Sequence, residues 1–265
     1  MDGFDPATSF GPEAAARYDR SLRGDEQDAA RFLAELAGAG PALEFAIGTG
    51  RIALPLAATG IRVDGIELSP DMAAVLRARP GGADISVTLG DMSAADAAAD
   101  EYPLVYLVFN TIGNLLTQDD QVRCFSNASR HLAPGGVFVI ETGTGWGWSK
   151  NRSNFVDAEY VGADTVTLDV NRFDRATQIL EENHVTISPD GIRMGPIVQR
   201  VAPPGELDLM ARIAGMHLID RFGWWDRRPF DGDCMSHVSV YGRRRDQELS
   251  NPGRTPGSAV VSSAE

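Results

Sequence analysis

An apolar run broken by two glycines and resumed as a helix, residues 42–57 (ALEFAIGTGRIALPLA), constrains the fold of this chain more than any other segment. It reads as a buried strand, a tight turn and an amphipathic helix in immediate succession, the unit from which open α/β sheets are wound. Gly48 and Gly50 lack the Cβ that would hold a ligand off the backbone, and the helix that follows points free amides at whatever lies over the turn. The spacing Gly48-x-Gly50-x-x-Ala53 also satisfies the fingerprint of dinucleotide sites, so the turn alone leaves the adenosine-type ligand open.

The next segments narrow the choice. Residues 62–67 (RVDGIE) read as a second buried strand ending in Glu67, where a bidentate acceptor can hold two ribose hydroxyls. Residues 85–89 (ISVTL) form a third strand followed by Gly90-Asp91-Met92, which brings another carboxylate to the adenine end of the crevice. Residues 104–109 (LVYLVF) form a fourth strand ending at Asn110, and 131–136 (HLAPGG) close a helix before a fifth strand at 137–141.

Together these residues resemble the class I S-adenosylmethionine (SAM)-dependent methyltransferases, whose glycine motif stands here as Glu44-x-Ala46-x-Gly48-x-Gly50, with Ala46 replacing the first glycine. The resemblance spans residues 18–243 and is strongest with bacterial enzymes acting on amino sugars and other natural-product scaffolds. It implies a Rossmann-like, seven-stranded, mostly parallel sheet with helices on both faces and a small antiparallel insertion after the fifth strand. It also implies an enzyme that moves a methyl group from SAM to a nitrogen or oxygen of a small metabolite of secondary metabolism. By the same resemblance Gly48, Thr49 and Gly50 run under the methionine part of the cofactor, Glu44 and Ala46 of the same motif are cofactor-binding, and Glu67 takes the ribose. Leu68 packs on the adenine, Asp91 and Met92 frame its edge, Phe109 and Asn110 line the methionine side, and Tyr18 covers the cofactor. Asn114 is an expected substrate contact. Two alternatives stay open: a related protein that binds SAM without transferring its methyl group, and an NAD-dependent oxidoreductase built on the same turn.

A length of 265 residues with 43% hydrophobic content suits one large α/β domain. The formal charge of −13 disfavours a nucleic-acid partner, because phosphate binding needs a clustered basic surface. A small-molecule substrate is expected, with no membrane partner; a homodimer is compatible with the chain. Cys124 and Cys234 are too few and too distant for a disulfide framework or a metal site, so no metal is expected. Both read as buried apolar residues in a cytoplasmic protein. No apolar run reaches membrane-span length, and the opening MDGFDPATSF has no signal-peptide pattern.

The chain divides into a helical segment over the cofactor (residues 1–37), the SAM-binding core (38–145), an antiparallel insertion acting as a substrate lid (146–203), completion of the core sheet (204–245) and a flexible tail (246–265). The insertion is marked by a change to period two in residues 165–173, 178–188 and 192–201. Methyl transfer from an activated sulfonium asks mainly for positioning, with a base only where the acceptor is protonated. His184, in the insertion, is the candidate base; His131 reads as a helix cap, and His217 and His237 as strand starts. Trp146 and Trp148 follow the fifth strand, where the substrate approaches, and Trp146 is the expected substrate wall.

Overall fold

The structure, a computed structural model, describes residues 1, 4–20, 23–99, 101–147 and 153–243; the expected tail and Trp148 lie outside them. Two short helices, α1 (Pro6–Ser9) and α2 (Pro12–Ala15), and a 3-10 turn at Tyr18–Arg20 precede α3 (Glu26–Ala37). The core then alternates β1 (Ala42–Phe45), α4 (Ala53–Ala57), β2 (Val63–Glu67), α5 (Pro70–Ala78), β3 (Ser86–Leu89), β4 (Tyr102–Leu107), α6 (Gln118–His131) and β5 (Leu132–Gly143). Five strands follow: β6 (Asn154–Val161), β7 (Val166–Asp174), β8 (Ile179–Ser188), β9 (Gly191–Arg193) and β10 (Pro196–Arg200). The chain returns through α7 (Pro204–Ile213), β11 (Met216–Phe222) and β12 (Ser236–Arg243).

The first sheet has seven strands in the order β11-β12-β5-β4-β1-β2-β3. Its β1, β2, β3, β4 and β5 run parallel, and β12 lies antiparallel to both β5 and β11. Every residue of β1 and β2 is buried, as expected where helices cover both faces of a parallel sheet. One core packs Phe32 and Leu33 of α3 and Leu56 of α4 against the sheet, and the other packs Phe125 of α6 and Leu207 and Met210 of α7 on the opposite face. Local chemistry sets the helix starts: Ser69 Oγ accepts the Met72 amide at 3.2 Å ahead of Pro70, and Thr117 caps α6 through the Asp120 amide at 3.1 Å. The chain order reverses between β1 and β4, so a crevice opens beyond their carboxyl ends, where ligands of such sheets bind.

The inserted strands form a second, antiparallel sheet in the order β10-β8-β7-β6, with β9 on β8. Strand β6 lies ahead of the three expected period-two segments; it alternates apolar and acidic residues over Val156-Asp157-Ala158-Glu159-Tyr160 and pairs along β7. The sheet is fastened to the core by Arg200, 5% exposed, which donates to Gln121 at 2.6 Å and Gln178 at 2.7 Å and pairs with Glu206 at 2.5 Å. Among the described residues, no helix is long and apolar enough to cross a membrane. Cys124 is fully buried as expected, whereas Cys234 is only partly buried, its thiol near the Asp231 carboxylate at 3.4 Å.

Candidate active site

The turn after β1 carries positive φ at Ala46 (+52°), Gly48 (+57°) and Gly50 (+76°). It wraps beneath a cavity of about 450 Å³, whose walls include Tyr18, Ala46, Gly48, Glu67, Leu68, Asp91, Met92 and Asn114. Glu67 ends β2 with both oxygens anchored: Oε2 accepts the Gly48 amide and Oε1 the Ser69 amide, each at 2.8 Å. Burial pushes its carboxyl above the ordinary value, opposed by these amides. Each oxygen keeps a lone pair beyond the bond it accepts, which suits a vicinal diol. Asp91 is held by accepting the Ser93 amide at 2.7 Å. Ile66, Met72 and Met92 give the same cavity an apolar wall.

These residues fit SAM better than a dinucleotide. Asp5, Glu67, Asp91 and Asp120 line the cavity, and no lysine or arginine does among the described residues. That environment favours a cationic sulfonium. A pyrophosphate would need free amides in the turn, but the Gly48 amide is committed to Glu67 and the Gly50 amide to the Ile47 carbonyl at 3.0 Å.

Several expected cofactor contacts stand elsewhere. Glu44 is buried away from the cavity, where its Oε2 accepts the Tyr106 hydroxyl at 2.9 Å; burial pushes its carboxyl well up. Gly50 faces the helices, since a Cβ there would meet Leu76 Cδ1 at 2.3 Å, so its demand is close packing and not ligand approach. Thr49 turns to the amino-terminal segment, its hydroxyl donating to Asp19 at 2.9 Å. Asn114, expected on the substrate side, lines the cofactor cavity instead. Tyr18 does border that cavity, its ring under the Arg51 guanidinium at 4.7 Å and its phenol pushed up by burial, which Arg51 opposes.

Phe109 and Asn110 both have left-handed backbones, φ +60° and +56°, a conformation uncommon for a bulky residue and easier for asparagine. They line a second cavity, of about 580 Å³, between the core and the inserted sheet. Phe109 has Arg23 stacked 4.4 Å from its ring centroid and Arg51 4.9 Å from it. Arg23 also grips Glu141 at 3.2 and 3.3 Å, and Glu141, pushed up by burial against the pull of Arg23, accepts the Phe109 amide at 2.7 Å. Across from them stand Phe155, Asp157, Asp169, Asn171 and Glu182 of the inserted sheet.

Sequence reasoning missed this acidic wall. Strand alternation could have grouped Asp169 with Asn171 and Glu182 with His184, but joining the strands requires their register. His184 itself is bonded through Nδ1 to Asp169 at 2.6 Å, on the same face of the sheet, and is not among the cavity residues. Trp146 is 40% exposed, lies 5.9 Å from the Phe230 ring and lines neither cavity. His131 ends α6 as a buried ring, its Nδ1 bonded to the Asn127 carbonyl of the same helix at 2.9 Å and its Nε2 accepting the Ala97 amide at 3.1 Å. His237 is wholly buried and held neutral, its pKa lowered by burial, with help from Arg221, to about 3.

A methyltransferase-domain profile matches residues 42–136, the glycine turn through the start of β5. The CcbJ methyltransferase of Streptomyces caelestis is 36% identical, with 91% of this chain aligned to 100% of that one at a TM-score of 0.85. SAM-bound CalS10, an amino pentose methyltransferase of Micromonospora echinaspora, is 28% identical over 88% of this chain and 96% of its own, with a TM-score of 0.64. A dTDP-3-amino-3,6-dideoxy-alpha-D-glucopyranose N,N-dimethyltransferase of Streptomyces fradiae is 29% identical over 189 residues, covering 68% of this chain and 70% of that protein.

Proposed function

The chain belongs to the SAM-dependent methyltransferases, and on that basis we propose that it methylates an amine nitrogen of a small natural-product metabolite, of the amino-sugar class. The observation that carries this reading is the second cavity, where Asp157, Asp169 and Glu182 face Arg23 and Glu141 across the space beside Phe109. A wall of carboxylates attracts an ammonium and gives a neutral alcohol no advantage. The named substrates of the Streptomyces fradiae and Micromonospora echinaspora relatives support the same class.

The roles divide between the cavities. When bound, SAM supplies a methyl group on a sulfonium, already activated for displacement. Glu67 takes its ribose hydroxyls, Leu68 and Met92 hold the adenine with Asp91 at its edge, Gly48 passes beneath the methionine part, and Tyr18 closes over it. The inserted sheet orients the acceptor and excludes water, so residues 146–203 form the substrate lid and residues 1–37 the cofactor cover.

The test is transfer of labelled methyl from SAM to a panel of acceptors. The panel holds dTDP-3-amino-3,6-dideoxy-α-D-glucopyranose, its N-monomethyl derivative and an amino pentose glycoside, each beside its hydroxyl counterpart. Label is expected in amines only. Label in a hydroxyl counterpart, or in none of the panel, overturns the nitrogen reading.

A further inference from the structure

Four polar side chains on the lid lead from a buried amide out to solvent. Pairing of β7 with β8 sets Asp169 opposite His184 and Asn171 opposite Glu182, and pairing of β6 with β7 sets Asp157 opposite Asp169. Directly opposed residues share a face, so this patch is one surface. Asn171 is 5% exposed and lines the cavity; its Nδ2 donates to the Asp169 carbonyl at 3.0 Å, while its buried Oδ1 has no hydrogen-bond partner. An unsatisfied buried carbonyl oxygen at a cavity wall awaits a donor N–H.

Exposure then rises along the patch: the side chains of Glu182, Asp169 and His184 are 13%, 23% and 43% exposed. His184 Nδ1 bonds Asp169 at 2.6 Å and its Nε2 lies 3.8 Å from Glu182 Oε2, a gap that one water can bridge. Glu159 of β6 also reaches Nδ1, at 3.8 Å. Arg23, the one cation among the described residues lining this cavity, is committed to Glu141 and Asp25.

An amine acceptor arrives largely as an ammonium, which has no lone pair with which to attack. We infer, resting on the nitrogen reading above, that Glu182 takes the proton the acceptor ammonium must lose, and that His184, oriented by Asp169, passes it to solvent. The N–H bond breaks with its electron pair left on nitrogen, and an O–H bond forms on Glu182. The proton then crosses the 3.8 Å to His184 Nε2 through one bridging water and leaves from the exposed ring to solvent. The methylated product is again an ammonium, so one proton is released for each methyl group transferred. Glu182 is suited to accepting a proton, because burial pushes its carboxyl above the usual range; Asp169 and Glu159 push the same way, and His184 opposes them. Glu182 is the catalytic residue here; His184 and Asp169 are positioning residues.

The experiment uses whichever amine of the panel takes the label. Its binding to the enzyme saturated with S-adenosylhomocysteine is measured calorimetrically in two buffers of different ionisation heat, which counts protons released without chemistry. The pH profile of kcat/KM is measured beside it. The parent should release about one proton per amine bound at a pH below the amine's own pKa, and Glu182→Gln should release almost none. At neutral pH Glu182→Gln should lower kcat/KM on the order of 100-fold, His184→Gln about 10-fold, and Glu182→Asp should recover part of the loss. All deficits should vanish above the pKa of the amine, where the free base arrives unaided. Undiminished proton release in Glu182→Gln, or a deficit that persists equally at high pH in a folded variant, overturns the proton route while leaving nitrogen transfer standing. Label in no amine overturns both.

Discussion

Ala46 has φ +52° at the position where the family's motif begins its glycines, so this chain keeps the conformation while carrying a Cβ. A left-handed L-residue costs about 1–2 kcal/mol, part of which glycine would give back as unfolded-chain entropy. Ala46→Gly should therefore raise stability by about 0.5–1 kcal/mol, seen as a higher urea midpoint at constant m value. A lower midpoint would mean that the Ala46 methyl packs well enough to outweigh its strain. Residue identity near the turn was legible in the sequence, but the direction each side chain faces was not. Glu44 and Glu67 both read as cofactor-binding residues, yet only Glu67 lies at a strand end beside the cavity, while Glu44, one strand over, points at Tyr106. Gly50 read as a ligand approach, and in the structure the space a Cβ would fill there belongs to Leu76.

At the scale of elements, the α/β alternation and the insertion follow from periodicity and turn chemistry, and both stand in the structure. Strand β6 carries a period-two signal of its own, Val156, Ala158 and Tyr160 alternating with Asp157 and Glu159, whereas the pairing register of the inserted sheet does not follow, because register is settled by contacts distant in sequence. The amino-terminal cover was legible only through Tyr18; its fastening was not. Asp19 accepts the Thr49 hydroxyl at 2.9 Å, pairs with Arg79 at 3.0 Å and lies 3.4 Å from Arg51, which binds the Tyr18 carbonyl at 2.6 Å. One carboxylate thus ties the cover to the glycine turn and to the residue following α5. Asp19→Ala should speed dissociation of S-adenosylhomocysteine about 10-fold, the loss of roughly one charged hydrogen bond, with the core still folded. Stopped-flow displacement checks it. An unchanged dissociation rate would show that this segment does not hold the cofactor in.

Taken whole, the molecule has one cavity at the glycine turn of the core sheet and another, lined by Phe109, between the core and the inserted sheet; on the reading proposed above the first takes the cofactor and the second the acceptor. The buried clasp of Arg200, Gln121, Gln178 and Glu206 makes the inserted sheet a fixed part of the site. The two cavities should therefore bind their ligands independently, and calorimetry on three proteins checks this. S-adenosylhomocysteine is titrated into the parent, Glu67→Ala and Glu182→Gln, and the amine that takes the label is then titrated into each saturated enzyme. Glu67→Ala should weaken cofactor binding by about 1–3 kcal/mol, through ribose hydroxyls left unpaired, and leave amine affinity in the saturated enzyme within about 1 kcal/mol. Glu182→Gln should do the reverse. If folded Glu182→Gln lost its affinity for S-adenosylhomocysteine while still binding the amine as the parent does, the division of the site would be contradicted.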